Sequence, residues 1–260
     1  MLKRARWTCV TLCAAFTLLA ACSKPAPEPV VQPEPASGVD YHSFANTDDY
    51  RTSHIDLDFS VDFERKVLVG EARLHLERLN QANNPLVLDT RDLAIESVRA
   101  GHAEVLADVP FSIGKHSDDL GAPLIIEIPA DATRVVVRYE TAPDALALQW
   151  LEPQQTAGKR HPFLYTQAQS IHARSFIPLQ DTPGMRITYD ATVRTPPALR
   201  AVMSADNDPD TELDGEFSFS MPQPIPPYLV ALAVGDLEFK AMGERTGVSA
   251  EKEILDAAAA

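Results

Sequence analysis

The run His54-Ile55-Asp56-Leu57-Asp58-Phe59-Ser60-Val61 alternates strictly between polar and apolar residues. Successive side chains of an extended strand point to opposite faces. This period of two therefore puts Ile55, Leu57, Phe59 and Val61 on one side and His54, Asp56, Asp58 and Ser60 on the other. A helix would scatter the same apolar residues around its circumference. The stretch predicts a strand with one face buried and one solvated, the habit of antiparallel sheets.

The pattern recurs on either side. Ala72, Leu74 and Leu76 alternate with Glu71, Arg73, His75 and Glu77, and Ile187, Tyr189, Ala191 and Val193 alternate with Arg186, Thr188, Asp190 and Thr192. Leu124-Ile125-Ile126-Glu127-Ile128 and Val135-Val136-Val137 are more continuously apolar and fit central strands. Turn formers separate these runs: Asn83-Asn84-Pro85, Gly121-Ala122-Pro123, Pro196-Pro197, Asp208-Pro209-Asp210 and Asp214-Gly215. Helical periodicity is almost absent before residue 249, apart from a turn around residues 170–174. The expected fold is mainly β: a multi-stranded antiparallel domain of sandwich or saddle type over residues 41–248, with the start of a helix at the C-terminus.

The ends read differently. Lys3, Arg4 and Arg6 precede an apolar run from Trp7 to Ala21, too short to span a bilayer comfortably, which ends in Leu19-Ala20-Ala21-Cys22. Small residues directly before a cysteine resemble the lipobox of a bacterial lipoprotein. That resemblance implies a signal peptide over 1–21, lipidation of Cys22, and anchorage in the cell envelope on the periplasmic face of the outer membrane. An ordinary secretory signal cleaved after the small residues Ala20 and Ala21 is the alternative. Residues 22–40 are Pro-rich, an extended tether. The three cysteines are Cys9, Cys13 and Cys22, so the domain that follows has no thiol for a disulfide or a cysteine-ligated metal. Over 249–260, Ser249 can cap a helix whose alanines are strong helix formers. It reads as the start of a further domain cut short, or as a short frayed terminal helix.

With 23 Lys and Arg against 37 Asp and Glu, the net charge of −14 disfavours nucleic acid and direct binding to anionic lipid. Asp206-Asn207-Asp208-Pro209-Asp210 offers clustered oxygens, but Pro209 and the missing glycine break the EF-hand spacing, and an acidic hairpin loop is the simpler reading. None of the seven histidines forms an i, i+4 pair that would aim two imidazoles at one zinc from a helix, and no G-x-S-x-G elbow is present. The residues alone describe a β domain without visible catalytic apparatus.

A series of ordered landmarks adds to this. Leu88-Asp89-Thr90-Arg91-Asp92-Leu93 with Ile95 comes first, then Ala147-Leu148-Gln149-Trp150-Leu151 with Pro153, Gln155, Thr156, Gly158 and Lys159. Thr166-Gln167-Ala168-Gln169 through Arg174, Pro178-Leu179-Gln180-Asp181-Thr182-Pro183, and Pro226-Pro227-Tyr228 through Gly235 follow. In this order they resemble the N-terminal β domain of the zinc metalloaminopeptidases, the gluzincins of the leukotriene A(4) hydrolase and aminopeptidase N type. The resemblance implies a saddle-shaped β domain over a thermolysin-like catalytic domain, with the Gln-x-Gln segment reaching into the cleft. Carried over by motif, Gln167, Ala168 and Gln169 contact the peptide near its N-terminal residue, Gln169 foremost. Carboxamides both donate and accept, and so orient a peptide amine or carbonyl without adding charge. The alternative is that both amides satisfy backbone groups beside a buried turn. Arg174, Asp181 and Pro183 read as architectural, an ion pair or turn that fixes the loop.

The departures bear on mechanism. The G-x-M-E-N loop, H-E-x-x-H and the third zinc ligand of that family do not occur in these 260 residues. Zinc is implied for the full-length family member, and within this chain no catalytic or metal-binding residue is assigned. The implied partners are peptide N-termini, a membrane through Cys22, and the missing catalytic domain, which would cover apolar surface left exposed here. The leading expectation is the substrate-cleft domain of a zinc aminopeptidase, inactive by itself. The alternative is a free-standing, non-catalytic peptide- or protein-binding β module of the cell envelope.

Overall fold

The computed structural model describes residues 40–260; the expected signal peptide, Cys22 and the expected tether up to residue 39 lie outside the described residues. The strands are β1 (Tyr50–Asp62), β2 (Val67–Arg78), β3 (Leu86–Thr90), β4 (Ala94–His102), β5 (Val105–Asp108), β6 (Phe111–Ile113), β7 (Ala122–Ile126) and β8 (Arg134–Glu140). They continue with β9 (Leu148–Leu151), β10 (Phe163–Thr166), β11 (Ile187–Arg194), β12 (Arg200–Met203), β13 (Glu216–Ile225), β14 (Leu232–Gly235), β15 (Leu237–Gly243) and β16 (Thr246–Glu251), before the helix α1 (Lys252–Ala258). A seven-stranded sheet runs β13-β11-β1-β2-β8-β4-β5. Smaller sheets run β12-β14-β10-β9 and β3-β7-β6, and β15 pairs with β16.

The mainly β, multi-sheet fold expected from the alternation is what forms. Ile55, Leu57, Phe59 and Val61 are all buried, as are Ala72, Leu74 and Leu76 opposite them. Residues of the large sheet join Leu86, Leu88 and Leu124 of the three-stranded sheet and Leu148, Leu164 and Val234 of the four-stranded sheet in one hydrophobic core. Each such aliphatic or aromatic side chain contributes about 1.5–3 kcal/mol by leaving water. The more continuously apolar β8 and β7 are central in their sheets, as expected. The pairing is antiparallel with one exception: β1 and β11 are parallel neighbours, His54 facing Thr188 through Ser60 facing Arg194. A parallel pair needs a long crossover, and the chain between Asp62 and Ile187 supplies it through the smaller sheets.

Two irregularities place the functional region. In β1 the pairing with β2 shifts between Thr52 and His54, leaving Ser53 as an extra residue. Tyr50 and Thr52 are buried before this bulge and Ile55 onward after it, so the phase of the alternation changes there. The Gln180 side chain closes the gap: its Oε1 accepts from the Thr52 N–H at 2.8 Å, and its Nε2 donates to the Tyr50 carbonyl at 2.8 Å. Across β2 and β8, Gly70 faces Tyr139. A Cβ at residue 70 would lie 2.8 Å from the Tyr139 ring, so only glycine lets the ring lie there and its hydroxyl donate to the Phe176 carbonyl, also at 2.8 Å.

At the C-terminal end the helix starts later than Ser249 would allow. Ser249 is in β16, and Glu251 is the residue preceding the first helical turn. Extended pairing of Phe239 with Ser249 takes the serine, while the Glu251 carboxylate accepts from the Ala157 and Gly158 N–H groups at 2.8 and 3.0 Å. Arg160 pairs with Glu253 at 2.7 Å and Asp236 at 3.1 Å, tying α1 back to the loop after β9.

Candidate functional site

The Thr166-Gln167-Ala168-Gln169 stretch begins in β10 and leaves it as an extended loop. Thr166 Oγ1 accepts from the Leu232 N–H at 2.9 Å, and the Gln167 N–H donates to the Ala147 carbonyl at 2.8 Å. Because the backbone is extended, neighbouring side chains diverge: Ala168 is buried, while Gln167 and Gln169 are exposed. Neither glutamine side chain hydrogen-bonds to any of the described residues. The reading in which these amides merely satisfy backbone groups beside a turn is not what the geometry shows. The backbone contacts are made by the Gln167 N–H and by the Ala168 carbonyl, which accepts from His172 N–H at 2.9 Å.

A cavity of about 170 Å³ adjoins the loop, lined by Thr166 to Gln169 on one side and Tyr228 to Ala231 on the other. In the second wall Pro226 and Pro227 lead into a short 3-10 turn, Pro227–Leu229, and the strand begins at Leu232. Proline suits the first helical position because it has no N–H to leave unpaired, and a proline pair was the available signal. Strand β14 pairs with β10, Leu164 facing Val234, which brings this turn beside the glutamines.

Behind the loop lies a buried ionic network. Arg174 is fully buried on the turn Ala173–Ser175. Its Nε donates to Asp181 Oδ2 at 3.1 Å and its backbone N–H to the same oxygen at 3.1 Å. Its other guanidinium nitrogens donate to the carbonyls of Leu120 at 2.9 Å, His42 at 2.8 Å and Asp181 at 2.7 Å. Asp89 Oδ1 lies 3.5 Å from the guanidinium, and Asp89 also accepts from Ser43, from the Phe44 N–H and from the Asp181 N–H. The expected architectural role of Arg174 and Asp181 is this one, with Asp89 of the first landmark as a further member.

Two buried carboxylates share one guanidinium here. Burial pushes Asp181 up to about 6, against the charge and hydrogen bonds of Arg174, and burial likewise raises Asp89. Asp181 Oδ1 is buried without a partner among the described residues, and is the atom on which a proton would sit. His172, half-buried with no side-chain hydrogen bond among the described residues, is held below the ordinary histidine value by burial and by the charges of Arg91 and Arg174. A neutral imidazole follows at neutral pH. In the acidic loop near Asp208, the Asn207 amide is spent on the Met203 and Ala205 backbone, which fits the hairpin-loop reading.

These residues do not compose a catalytic zinc centre. The sequence lacks the helical His-Glu-x-x-His pair, and the one convergence of three metal-ligating side chains among the described residues lies in the large sheet, not in the sheet that carries the glutamine loop.

The structure thus presents an exposed glutamine loop in front of a buried ionic network. Residues 51–229 match the family described as Peptidase M1 N-terminal domain, and the chain belongs to that family. It is 38% identical over 227 residues to leukotriene A-4 hydrolase of Xenopus laevis, covering 84% of this chain and 37% of that protein. Leucine aminopeptidase 2 of Phaeosphaeria nodorum is 35% identical over 231 residues, again 84% of this chain and 36% of that protein. The chain thus spans little more than a third of the length of these relatives. Among solved structures, native yeast LTA4 hydrolase superposes with a TM-score of 0.77 at 31% identity, covering 88% of this chain and 35% of that one. The M1 zinc metallopeptidase of Deinococcus radiodurans shares the fold, with a TM-score of 0.56 at 20% identity over 79% of this chain and 47% of that one.

Replacing Arg174 by methionine leaves Asp89 and Asp181 buried without their cation, and is expected to cost about 3–5 kcal/mol in urea-induced unfolding. Asp181 makes a second, pH-dependent prediction. Its folded value of about 6 exceeds the ordinary 3.8, so the native state binds the extra proton and the associated stability is present at acid pH and lost as pH rises through about 6. Measured against Asp181→Asn, the native sequence should lose on the order of 2–3 kcal/mol between about pH 4 and about pH 7. A difference that stays flat with pH would show that Asp181 is ionised throughout.

Proposed function

We propose that this chain forms the substrate-cleft wall of a zinc-dependent aminopeptidase. Gln167 and Gln169 hold the N-terminal end of a peptide, while a zinc-binding catalytic domain outside these 260 residues performs the cleavage. The observation that carries this reading is the pair of exposed amides without partners among the described residues, on a backbone anchored from behind. An α-ammonium offers only donors and a peptide carbonyl only an acceptor; one carboxamide answers both. Ala168 is buried between them, and its part is to turn its neighbours outward.

Size and surface support a second domain. About 170 Å³ is well below the roughly 300–1,000 Å³ of a whole-ligand pocket, so the cavity suits a single side chain and the rest of the cleft must come from elsewhere. Leu146, Tyr165 and Leu229 are large apolar side chains left exposed around the loop, 41–47% accessible. They are the surface that a catalytic domain would cover as an intramolecular partner. One relative is a leucine aminopeptidase, which supports a peptide N-terminus as the ligand.

Supplied with zinc, the 260-residue chain is expected to release no N-terminal residue from aminoacyl arylamides; zinc-dependent release would overturn the division of labour. A tripeptide with a free N-terminus should shift the amide resonances of residues 166–170 and 228–231, and Gln169→Ala should weaken its binding about tenfold, roughly 1.4 kcal/mol. Shifts confined to other surfaces would remove the loop from the binding site.

The sequence Leu19-Ala20-Ala21-Cys22 supports a lipid anchor at Cys22 and a site of action at the periplasmic face of the outer membrane. Expressed in a bacterium with labelled palmitate, the chain should acquire label, and Cys22→Ser should abolish it. Label that persists in the variant would refute lipidation at Cys22.

A further inference from the structure

The solvent face of the large sheet carries a constellation that peptide binding does not use. The bulge at Ser53 sets His54 directly across from His75 on β2 and beside Thr188 on β11. Asp56, two residues on, shares their face. The result is a compact cluster: His75 Nε2 lies 2.7 Å from Asp56 Oδ2, and His54 Nε2 lies 3.3 Å from Asp56 Oδ1 and 3.6 Å from Asp190 Oδ2. The two imidazole rings stand edge to face with centroids 4.8 Å apart. One donor atom from each of His54, Asp56 and His75 fits within 4.8 Å of the others.

The ring of His54 is oriented from behind. Thr188 Oγ1 donates to the Ser53 carbonyl at 3.3 Å, so it accepts from His54 Nδ1–H at 2.7 Å. That tautomer turns the Nε2 lone pair toward two carboxylates, an arrangement that is repulsive until a proton or a cation lies between them. Arg73, directly across from Asp56, does not supply that charge; it reaches instead to Glu104 at 3.3 Å and Glu71 at 3.8 Å. The two Asp56 oxygens thus face one ring each, at 2.7 and 3.3 Å.

We propose that His54, Asp56 and His75, with Asp190 as a fourth ligand, form a binding site for a first-row divalent cation of the zinc class on the outer face of the large sheet. Donor atoms of a tetrahedral ion stand about 3.4 Å apart when each lies about 2.1 Å from it. The contacts of 2.7, 3.3 and 3.6 Å bracket that spacing. Two imidazoles and a carboxylate select zinc-class ions over magnesium and calcium, which want oxygen alone. A bound ion lies between the rings and the carboxylates and cross-links β2, β1 and β11. The Thr188 hydrogen bond is the outer support that metal-binding histidines typically have. The half-exposed side chains make the site open to entry and exit from solvent.

The test is a titration of zinc chloride into the metal-free full chain, followed by calorimetry and by competition with a chromophoric chelator. One ion per chain is expected, with micromolar affinity and a rise in Tm. His54→Gln and His75→Gln should each weaken binding by at least about tenfold, Thr188→Val by about tenfold, and His102→Gln not at all. Where a variant fails to fold, the native chain decides: substoichiometric zinc should shift the ring-proton resonances of His54 and His75 and leave those of His116 and His161 in place. Absence of saturable binding, or binding undiminished in a folded His54→Gln, His75→Gln double variant, would overturn the site. Neither result bears on peptide binding at Gln169, which lies on the loop after β10, outside the large sheet.

Discussion

One buried guanidinium holds this domain's functional region in shape. Arg174 reaches Asp181 on the following loop, the Leu120 carbonyl at the entrance to β7, the His42 carbonyl in the N-terminal approach and, more loosely, Asp89 at the end of β3. Five donors in a rigid planar fork can span that many segments; a lysine ammonium cannot. The arrangement is costly to bury, and a well-packed apolar replacement of the whole group could be as stable. Its value is positional. The turn carrying Arg174 starts five residues after Ala168, so whatever fixes the guanidinium also fixes the end of the glutamine loop.

From that constraint the character of the site follows. The backbone of the loop is spoken for on its inner side by Ala147 and His172, with Ser175 Oγ in turn accepting from the Ala147 N–H, which leaves the outward amides of Gln167 and Gln169 as uncommitted polar groups. Glutamine there is neutral, so the loop presents donors and acceptors without a charge of its own. The loop and the turn Pro227–Leu229 together make one small pocket rather than a full cleft. Gln180, in the motif that also supplies Asp181, repairs the broken ladder of β1 at the same time. A single hexapeptide, Pro178 to Pro183, therefore stabilises both the core sheet and the loop beside it.

The bulge that Gln180 completes has an effect on the opposite face as well. By adding one residue at Ser53 it shifts His54 into register with His75, and histidine and aspartate then converge where an unbroken strand would have offset them. The support of the glutamine loop and the imidazole cluster thus meet at neighbouring features of one strand, on different sides of the domain's sheets.

Much of this was legible in the residues. Alternation alone marked the inner faces of β1, β2 and β11, because a period of two is a local property of extended chain and survives any tertiary arrangement. The ordered landmarks pointed to Gln167 and Gln169, to Arg174 with Asp181, and to the family that the matching of residues 51–229 establishes. Other features depended on long-range register. That β11 lies parallel to β1, that Asp89 joins Arg174, that Tyr228 to Ala231 wall the pocket, and that His75 meets His54 all join residues far apart in sequence or across strands. A search of the histidines for helical i, i+4 pairs missed the last because these ligands sit on paired strands, where partners are set by hydrogen-bond register and a bulge. Local chemistry determined which residues face inward; only the tertiary structure, through strand pairing and one buried arginine, decided which outward-facing residues would meet.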